Sequence, residues 1–245
     1  MSQTSLDRPV IVALDAASGQ QARRLLDQLD PALCRIKVGK ELFTSEGPSF
    51  VEFLVSRGYP VFLDLKFHDI PNTVAAACKV AASLGVWMMD VHVSGGRAML
   101  LSAQEALNQF HEKARPKLIG ITVLTSLSEQ AIEEVGIRGP LPDAVLRLAR
   151  LAHECQLDGV VSSAAEASML RAEIPDPFLL VTPGIRLPGS APDDQSRIVT
   201  PVDAWQAGAS FLVIGRPITQ SHDPAATLEH INQQLEKIGK RAIVR

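Results

Sequence analysis

The chain has 245 residues, 46% of them hydrophobic and 21% charged, the composition of an ordinary globular protein. A formal net charge of -3 and a pI near 6.1 speak against nucleic-acid binding through a basic surface, while leaving room for one small basic pocket for a phosphate. No apolar run reaches the roughly 18 residues that span a bilayer, and residues 1–8 carry no signal-peptide pattern, so a cytoplasmic protein without membrane contact is expected.

In chain order, the first predicted strand covers residues 9–15 and closes on Asp15, and a helix follows over 20–29. Asp15 suits two roles: capping the helix that begins near Ser18, or accepting hydrogen bonds from a sugar hydroxyl. The second strand, 34–38, carries Lys37, which either snorkels outward or extends a charge array along the strand ends. A helix over 48–57 leads to the third strand, 60–66, where the densest signal lies.

That signal is Leu63-Asp64-Leu65-Lys66-Phe67-His68-Asp69. Strand alternation puts Asp64 and Lys66 on one side, with Cα atoms about 7 Å apart at a rise of ~3.4 Å per residue, and turns Leu65 toward the helices. Asp69 follows in the loop. A lysine between two carboxylates keeps its proton, because nearby opposite charge favours the charged form, so Lys66 reads as a proton donor and not as a nucleophilic amine. The plain alternative is a structural ion pair, with Asp69 capping a helix that starts near Pro71. Charges at the neighbouring strand ends weigh against it. His68 has no such support and reads as a satisfied loop histidine.

A helix over 73–84 precedes the fourth strand, 87–92, which ends on His92, a residue that reads as buried and hydrogen-bonded. Ser94-Gly95-Gly96 then forms a strand-to-helix turn into a helix over 97–110. The fifth strand, 117–123, has Thr122 and Thr125 at its end; a helix over 142–155, a strand over 158–162 and a helix over 164–172 follow. The seventh strand, 178–182, ends on Thr182 and opens into a long Gly/Pro-rich loop that contains Arg186, Gln195 and Arg197. A loop of this length is either a lid over a phosphate or merely solvated. The eighth strand, 211–215, is followed by Arg216, where Gly215 permits close backbone approach and an arginine can donate two hydrogen bonds to phosphate. The basic segment 237–245 reads as a solvated tail.

Eight apolar runs alternating with helical segments point to a single-domain (β/α)₈ TIM barrel over residues 1–245. A doubly wound open sheet is the competing architecture, and no GxGxxG follows the first strand to support it. In a barrel, Asp15, Lys37, Asp64, Lys66, His92, Thr182 and Arg216 share the face that carries active sites, so the pattern points to an enzyme. Cys34, Cys78 and Cys155 are odd in number and widely spaced, as reduced thiols are, and no His/Cys/carboxylate grouping has metal-ligand spacing.

With these residues in view, the chain resembles the orotidine 5′-phosphate decarboxylase family. The likeness runs from Val-Ala-Leu-Asp15 through Ile-Lys37-Val-Gly to Asp64-Leu-Lys66-Phe-His-Asp69-Ile-Pro-Asn-Thr73. It continues through Thr125-Ser126 and Thr182-Pro-Gly-Ile-Arg186 to Gly215-Arg216-Pro-Ile. The resemblance implies cofactor-free, metal-free loss of CO₂ from orotidine 5′-phosphate to give UMP. It implies that Lys66 protonates the pyrimidine C6, with Asp64 and a partner subunit's Asp69 beside the substrate carboxylate. Asp15, Lys37 and the partner's Thr73 would hold ribose hydroxyls, Thr125 and Ser126 the pyrimidine edge, and Arg186, Gln195, Gly215 and Arg216 the phosphate. Sharing of Asp69 implies a homodimer with two composite sites.

Two rival readings remain open. Relatives with the same Asp-x-Lys-x-x-Asp cluster use Mg²⁺ on sugar phosphates, as decarboxylases or aldolases, and carry a carboxylate on the second strand where this chain has Lys37. A non-catalytic phosphate-binding barrel is the other, although binding alone gives no reason to assemble so costly a charge array.

Overall fold

The eight predicted strands are all present and close into one parallel barrel in the order β1 to β8. The computed structural model describes residues 8–187 and 199–239. The strands are β1 (Val10–Ala13), β2 (Arg35–Gly39), β3 (Val61–Phe67), β4 (Met88–His92), β5 (Lys117–Ile121), β6 (Gly159–Val161), β7 (Leu179–Thr182) and β8 (Phe211–Ile214). Around them run α1 (Gly19–Leu26), α2 (Lys40–Glu46), α3 (Pro48–Ser56), α4 (Pro71–Ser83), α5 (Gly96–Leu107) and α6 (Glu129–Glu134). The circuit is completed by α7 (Leu141–Glu154), α8 (Ala164–Glu173), α9 (Pro201–Ala207), α10 (Arg216–Thr219) and α11 (Pro224–Ile238).

Strands that are covered on both faces need apolar side chains at successive positions, and β1, β7 and β8 are buried throughout. One set points into the barrel, where Ile11, Phe62, Met88, Ile119, Val181 and Phe211 form a closed inner core. The alternate set, including Val10, Val12, Ile36, Val38 and Leu63, joins a larger core beneath the helices. At the strands' N-terminal end the Arg35 guanidinium lies over Trp87 and Phe211, 4.4 and 4.9 Å from the ring centroids. The interior is thus filled from below, and open space is left to the other end.

Local chemistry sets where the helices start. Ser18 accepts from the Gln21 backbone N–H at the start of α1, and reciprocal Ser163/Glu166 and Thr200/Asp203 boxes open α8 and α9. The structure therefore gives the α1 cap to Ser18 and not to Asp15. Helix α1 ends at Leu26, earlier than the predicted 29, and the buried Tyr59 hydroxyl donates to the Leu29 carbonyl at 2.7 Å in the turn that follows. Strand β1 likewise ends at Ala13, two residues before the predicted Asp15, because the Leu14 N–H still reaches the Lys37 carbonyl (3.0 Å) and the chain then leaves the sheet. Asn232 on α11 donates to the Leu33 carbonyl at 2.9 Å, tying the last helix to the segment before β2.

Gly159 shows how closely the barrel wall is packed. A Cβ there would lie 2.2 Å from the Leu179 carbonyl oxygen on β7, and neither backbone can move without shifting the sheet. Gly159→Ala is expected to lower the unfolding free energy by about 1–3 kcal/mol, measured by equilibrium urea denaturation followed by circular dichroism. An unchanged midpoint would show that the two strands separate more easily than this contact allows.

Candidate active site

At the C-terminal mouth of the barrel a cavity of about 320 Å³ brings together Asp15, Lys37, Asp64 and Lys66, with Lys40, Gly39 and Leu124 on its walls. The sequence places all four charged groups on strands; in the structure three are there, Lys37 on β2 and Asp64 and Lys66 on β3, while Asp15 follows the end of β1. Asp64 sits in register with Gly39, which has no side chain to fill the space between the strands. Asp64 is held from both sides: its Oδ1 accepts from Lys66 Nζ, and its Oδ2 lies 3.3 Å from Lys37 Nζ. Lys37 Nζ in turn lies 3.3 Å from Asp15 Oδ1. Lys37 does not snorkel outward; its side chain is 11% exposed, against 62% for Asp15.

This alternation of sign decides the protonation states. Burial works against a charged Asp64, but Lys37, the neighbouring Asp90 carboxyl and Lys66 outweigh it and hold the carboxyl at about 2. Burial also works against a charged Lys37, and the two carboxylates beside it outweigh that and raise it. Both groups are therefore ionised at neutral pH. His92 behaves oppositely: burial, His68, Lys40 and Lys66 pull it down to about 4, so it is a neutral imidazole. Its ring lies against His68, with centroids 5.3 Å apart.

The end of β3 is not a regular strand. Lys66 has φ 54°, in the left-handed region, and the register with β4 shifts between Leu63 and Phe67. A non-glycine residue held there costs about 1–3 kcal/mol and persists only where its surroundings fix it. At that residue Asp90 on β4 makes contact: its Oδ1 accepts from the Lys66 backbone N–H at 2.7 Å. Asp90 is fully buried, and burial together with the Asp64 charge pushes its carboxyl well above the usual range. The sequence reading passed over Asp90, although its place two residues before His92 puts it on the same face of β4. It also passed over Lys40, the first residue of α2.

Other expected site residues lie around this centre. Asp69 and Thr73 are exposed and are not among the residues lining the cavity, so within one chain Lys66 has Asp64 as its carboxylate partner and not Asp69. Asp69 does not cap α4; its Oδ1 accepts from the adjacent Ile70 N–H at 2.7 Å, and α4 opens on Pro71 without a side-chain cap. Thr125 and Ser126 sit exposed on the turn after β5, next to the cavity-lining Leu124. The half-buried Arg186 donates its backbone N–H to the Val199 carbonyl at 3.0 Å, and the Ile185–Val199 bridge joins the ends of the long loop after β7. Gln195 and Arg197 lie outside the described residues. Gly215 is close to the Asp15 carboxylate, since a Cβ on it would stand 3.5 Å from Asp15 Oδ2, and Arg216 follows at the start of α10. Among the described residues no three His, Cys, Asp or Glu side chains are grouped as metal ligands, and the three cysteines are free and buried.

A sequence model of the orotidine 5′-phosphate decarboxylase / HUMPS family matches residues 8–231. The chain is similar to an orotidine 5′-phosphate decarboxylase of Chromobacterium violaceum, 56% identical over 96% of this chain and 94% of that protein. It is similar as well to one of Hydrogenovibrio crunogenus, 55% identical over 94% and 96% of the two chains. Among solved structures, the orotidine 5′-phosphate decarboxylase of Lactobacillus acidophilus superposes with a TM-score of 0.83 at 40% identity, over 94% of this chain and 99% of that one.

The depressed Asp64 carboxyl carries a pH signature. Its ion pairs stabilise the fold fully above its ordinary 3.8, and that contribution is lost as pH falls through about 2. Lys37→Met removes the largest attraction, so the variant is expected to melt below the unmodified protein at neutral pH, with the difference shrinking across that acid window. Thermal unfolding as a function of pH checks this; parallel curves for the two proteins would mean that Lys37 does not set the Asp64 titration.

Proposed function

The chain belongs to the orotidine 5′-phosphate decarboxylase / HUMPS family, and from that premise we propose that it decarboxylates orotidine 5′-phosphate to UMP, without cofactor or metal, in de novo pyrimidine biosynthesis. The observation that carries this reading is the Lys37–Asp64–Lys66 array inside the mouth of the barrel. When the bond between C6 and the carboxylate breaks, CO₂ leaves and its electron pair stays on C6. Lys66 Nζ is the cation aimed at that carbon, and it delivers the proton that completes UMP. A fixed charge placed where charge develops stabilises the transition state without reorganising at the moment of reaction. Asp64 orients Lys66 and, with the partner subunit's Asp69, flanks the departing carboxylate.

The remaining assignments follow the cavity outward. Asp15, Lys37 and the partner's Thr73 take the ribose hydroxyls, and Thr125 and Ser126 take the pyrimidine edge. Arg186, Gln195, Gly215 and Arg216 take the phosphate, and the closeness of Gly215 to Asp15 supports a sugar–phosphate arrangement across β1 and β8. Binding energy from the phosphate, remote from C6, is then available to the chemical step. The homodimer rests on three exposed neighbours that leave their own cavity unserved: Asp69, Thr73 and, between them, Ile70 at 67% exposure. A single-domain cytoplasmic enzyme fits these assignments, and among the described residues no helix is long and apolar enough to cross a membrane.

The Mg²⁺-dependent relatives need a carboxylate where Lys37 stands, and a buried ammonium in that position opposes a divalent cation. Turnover of orotidine 5′-phosphate in excess EDTA, followed by absorbance, is the direct test. A folded protein without activity would remove the decarboxylase reading, and activity in EDTA would exclude the Mg²⁺-dependent rival. Lys66→Ala is expected to abolish turnover while leaving the circular dichroism of a folded barrel, and near-normal turnover would exclude Lys66 as the proton donor. Mixing Lys66→Ala and Asp69→Ala subunits is expected to regenerate a fraction of intact composite sites; no recovery after verified subunit exchange would argue that Asp69 serves its own chain.

A further inference from the structure

Asp90 is the one buried carboxyl next to the charge array that the proposed chemistry does not use. We propose that Asp90 is a positioning residue, which fixes the left-handed backbone of Lys66 and thereby sets where the ammonium points. Four observations meet at this side chain. It is wholly enclosed on β4, so its placement is set by packing. Its Oδ1 takes the Lys66 N–H at 2.7 Å, and that N–H is at the break in the β3–β4 register where no regular ladder bond would hold it. Lys66 has φ 54° at that same point. Its second oxygen, Oδ2, is sealed from solvent with no partner of ordinary hydrogen-bond geometry among the described residues, and Asp64 is the charged neighbour that acts on it.

An ionised carboxylate in that place would stand beside Asp64 and repel it. A protonated one does the reverse: it accepts from Lys66 with one oxygen and offers a hydrogen toward Asp64 with the other. Burial and the Asp64 charge both favour the protonated form. An asparagine reproduces this pattern, with its carbonyl toward the Lys66 N–H and its amide N–H toward Asp64, while a valine of similar shape offers neither. The side chain touches no reacting atom, so its effect is on where Lys66 sits when C6 needs its proton, and not on how substrate is held.

This inference rests on the decarboxylase reading, so turnover by the unmodified protein is the first measurement. Asp90→Val is then expected to lower kcat by about 100-fold, the size of effect that a misplaced catalytic group produces, with little change in KM or in UMP affinity. Asp90→Asn is expected to restore kcat to near that of the unmodified protein. Should the valine variant fail to fold, Asp90→Ala carries the same comparison. A folded valine or alanine variant with unchanged kcat, a loss confined to KM, or an asparagine variant as impaired as the apolar ones would overturn the positioning role while leaving the decarboxylase reading intact. No turnover by the unmodified protein would overturn both.

Discussion

The carboxylate of Asp64, clasped by two lysines inside a closed barrel, is the constraint on which the rest of this site depends. Taking each of these ions out of water costs several kcal/mol, and only close opposite charge offsets that cost. Asp64 and Lys37 are nearly enclosed, whereas Asp15 at the far end of the chain of charges is mostly in solvent. The inner group of Lys37, Asp64 and Lys66 therefore carries one surplus positive charge. The same arrangement keeps Lys37 cationic in a place where burial alone would neutralise it.

The barrel provides the rigidity that such a group requires. Below the array the interior is filled by Phe62, Met88, Ile119 and Phe211, with Arg35 stacked beneath them on aromatic faces. The register of β2 with β3 fixes the backbone positions from which Lys37 and Asp64 reach each other. The rim differs in kind. Thr73, Thr125, Ser126 and Arg216 are exposed on loops and helix starts, the part of a barrel most able to adjust. A stiff centre surrounded by an adaptable rim suits chemistry at one carbon of a ligand gripped mainly elsewhere.

Strand alternation explains why so much of this was legible from the amino-acid order. The apolar runs mark eight strands to within a residue or two, and parity puts Asp64 with Lys66, while Lys37 is tied to them only by its place at the end of the neighbouring strand. The errors have equally physical causes. Asp15 was read as a strand end because apolar residues run up to it, yet the ladder stops at Ala13 and a loop carries it to the cavity. Asp15 reads as a cap for the helix beginning near Ser18, yet the chain turns so that Ser18 itself is the cap, which residue order alone does not show. Asp90 escaped notice because an acid within Met-Met-Asp-Val-His resembles an ordinary interruption of a strand. Its significance comes from a backbone N–H on β3 that local sequence cannot show to be unpaired by the ladder.

That kink at Lys66 also accounts for the division of labour within the Asp-x-Lys-x-x-Asp motif. In an unbroken strand the parity of positions would keep Asp64 and Lys66 inward and carry the chain straight up and out of the sheet. With Lys66 in the left-handed region the backbone turns at that residue, so that its side chain meets Asp64 inside while His68, Asp69 and Ile70 emerge at the surface. One motif thus faces two directions. Its first two charges belong to the cavity of their own barrel, and its third stands exposed at the surface. The strain stored at a single residue, held in place by a buried acid on the next strand, is what allows a seven-residue stretch to serve its own site and, in the proposed dimer, the site of its neighbour.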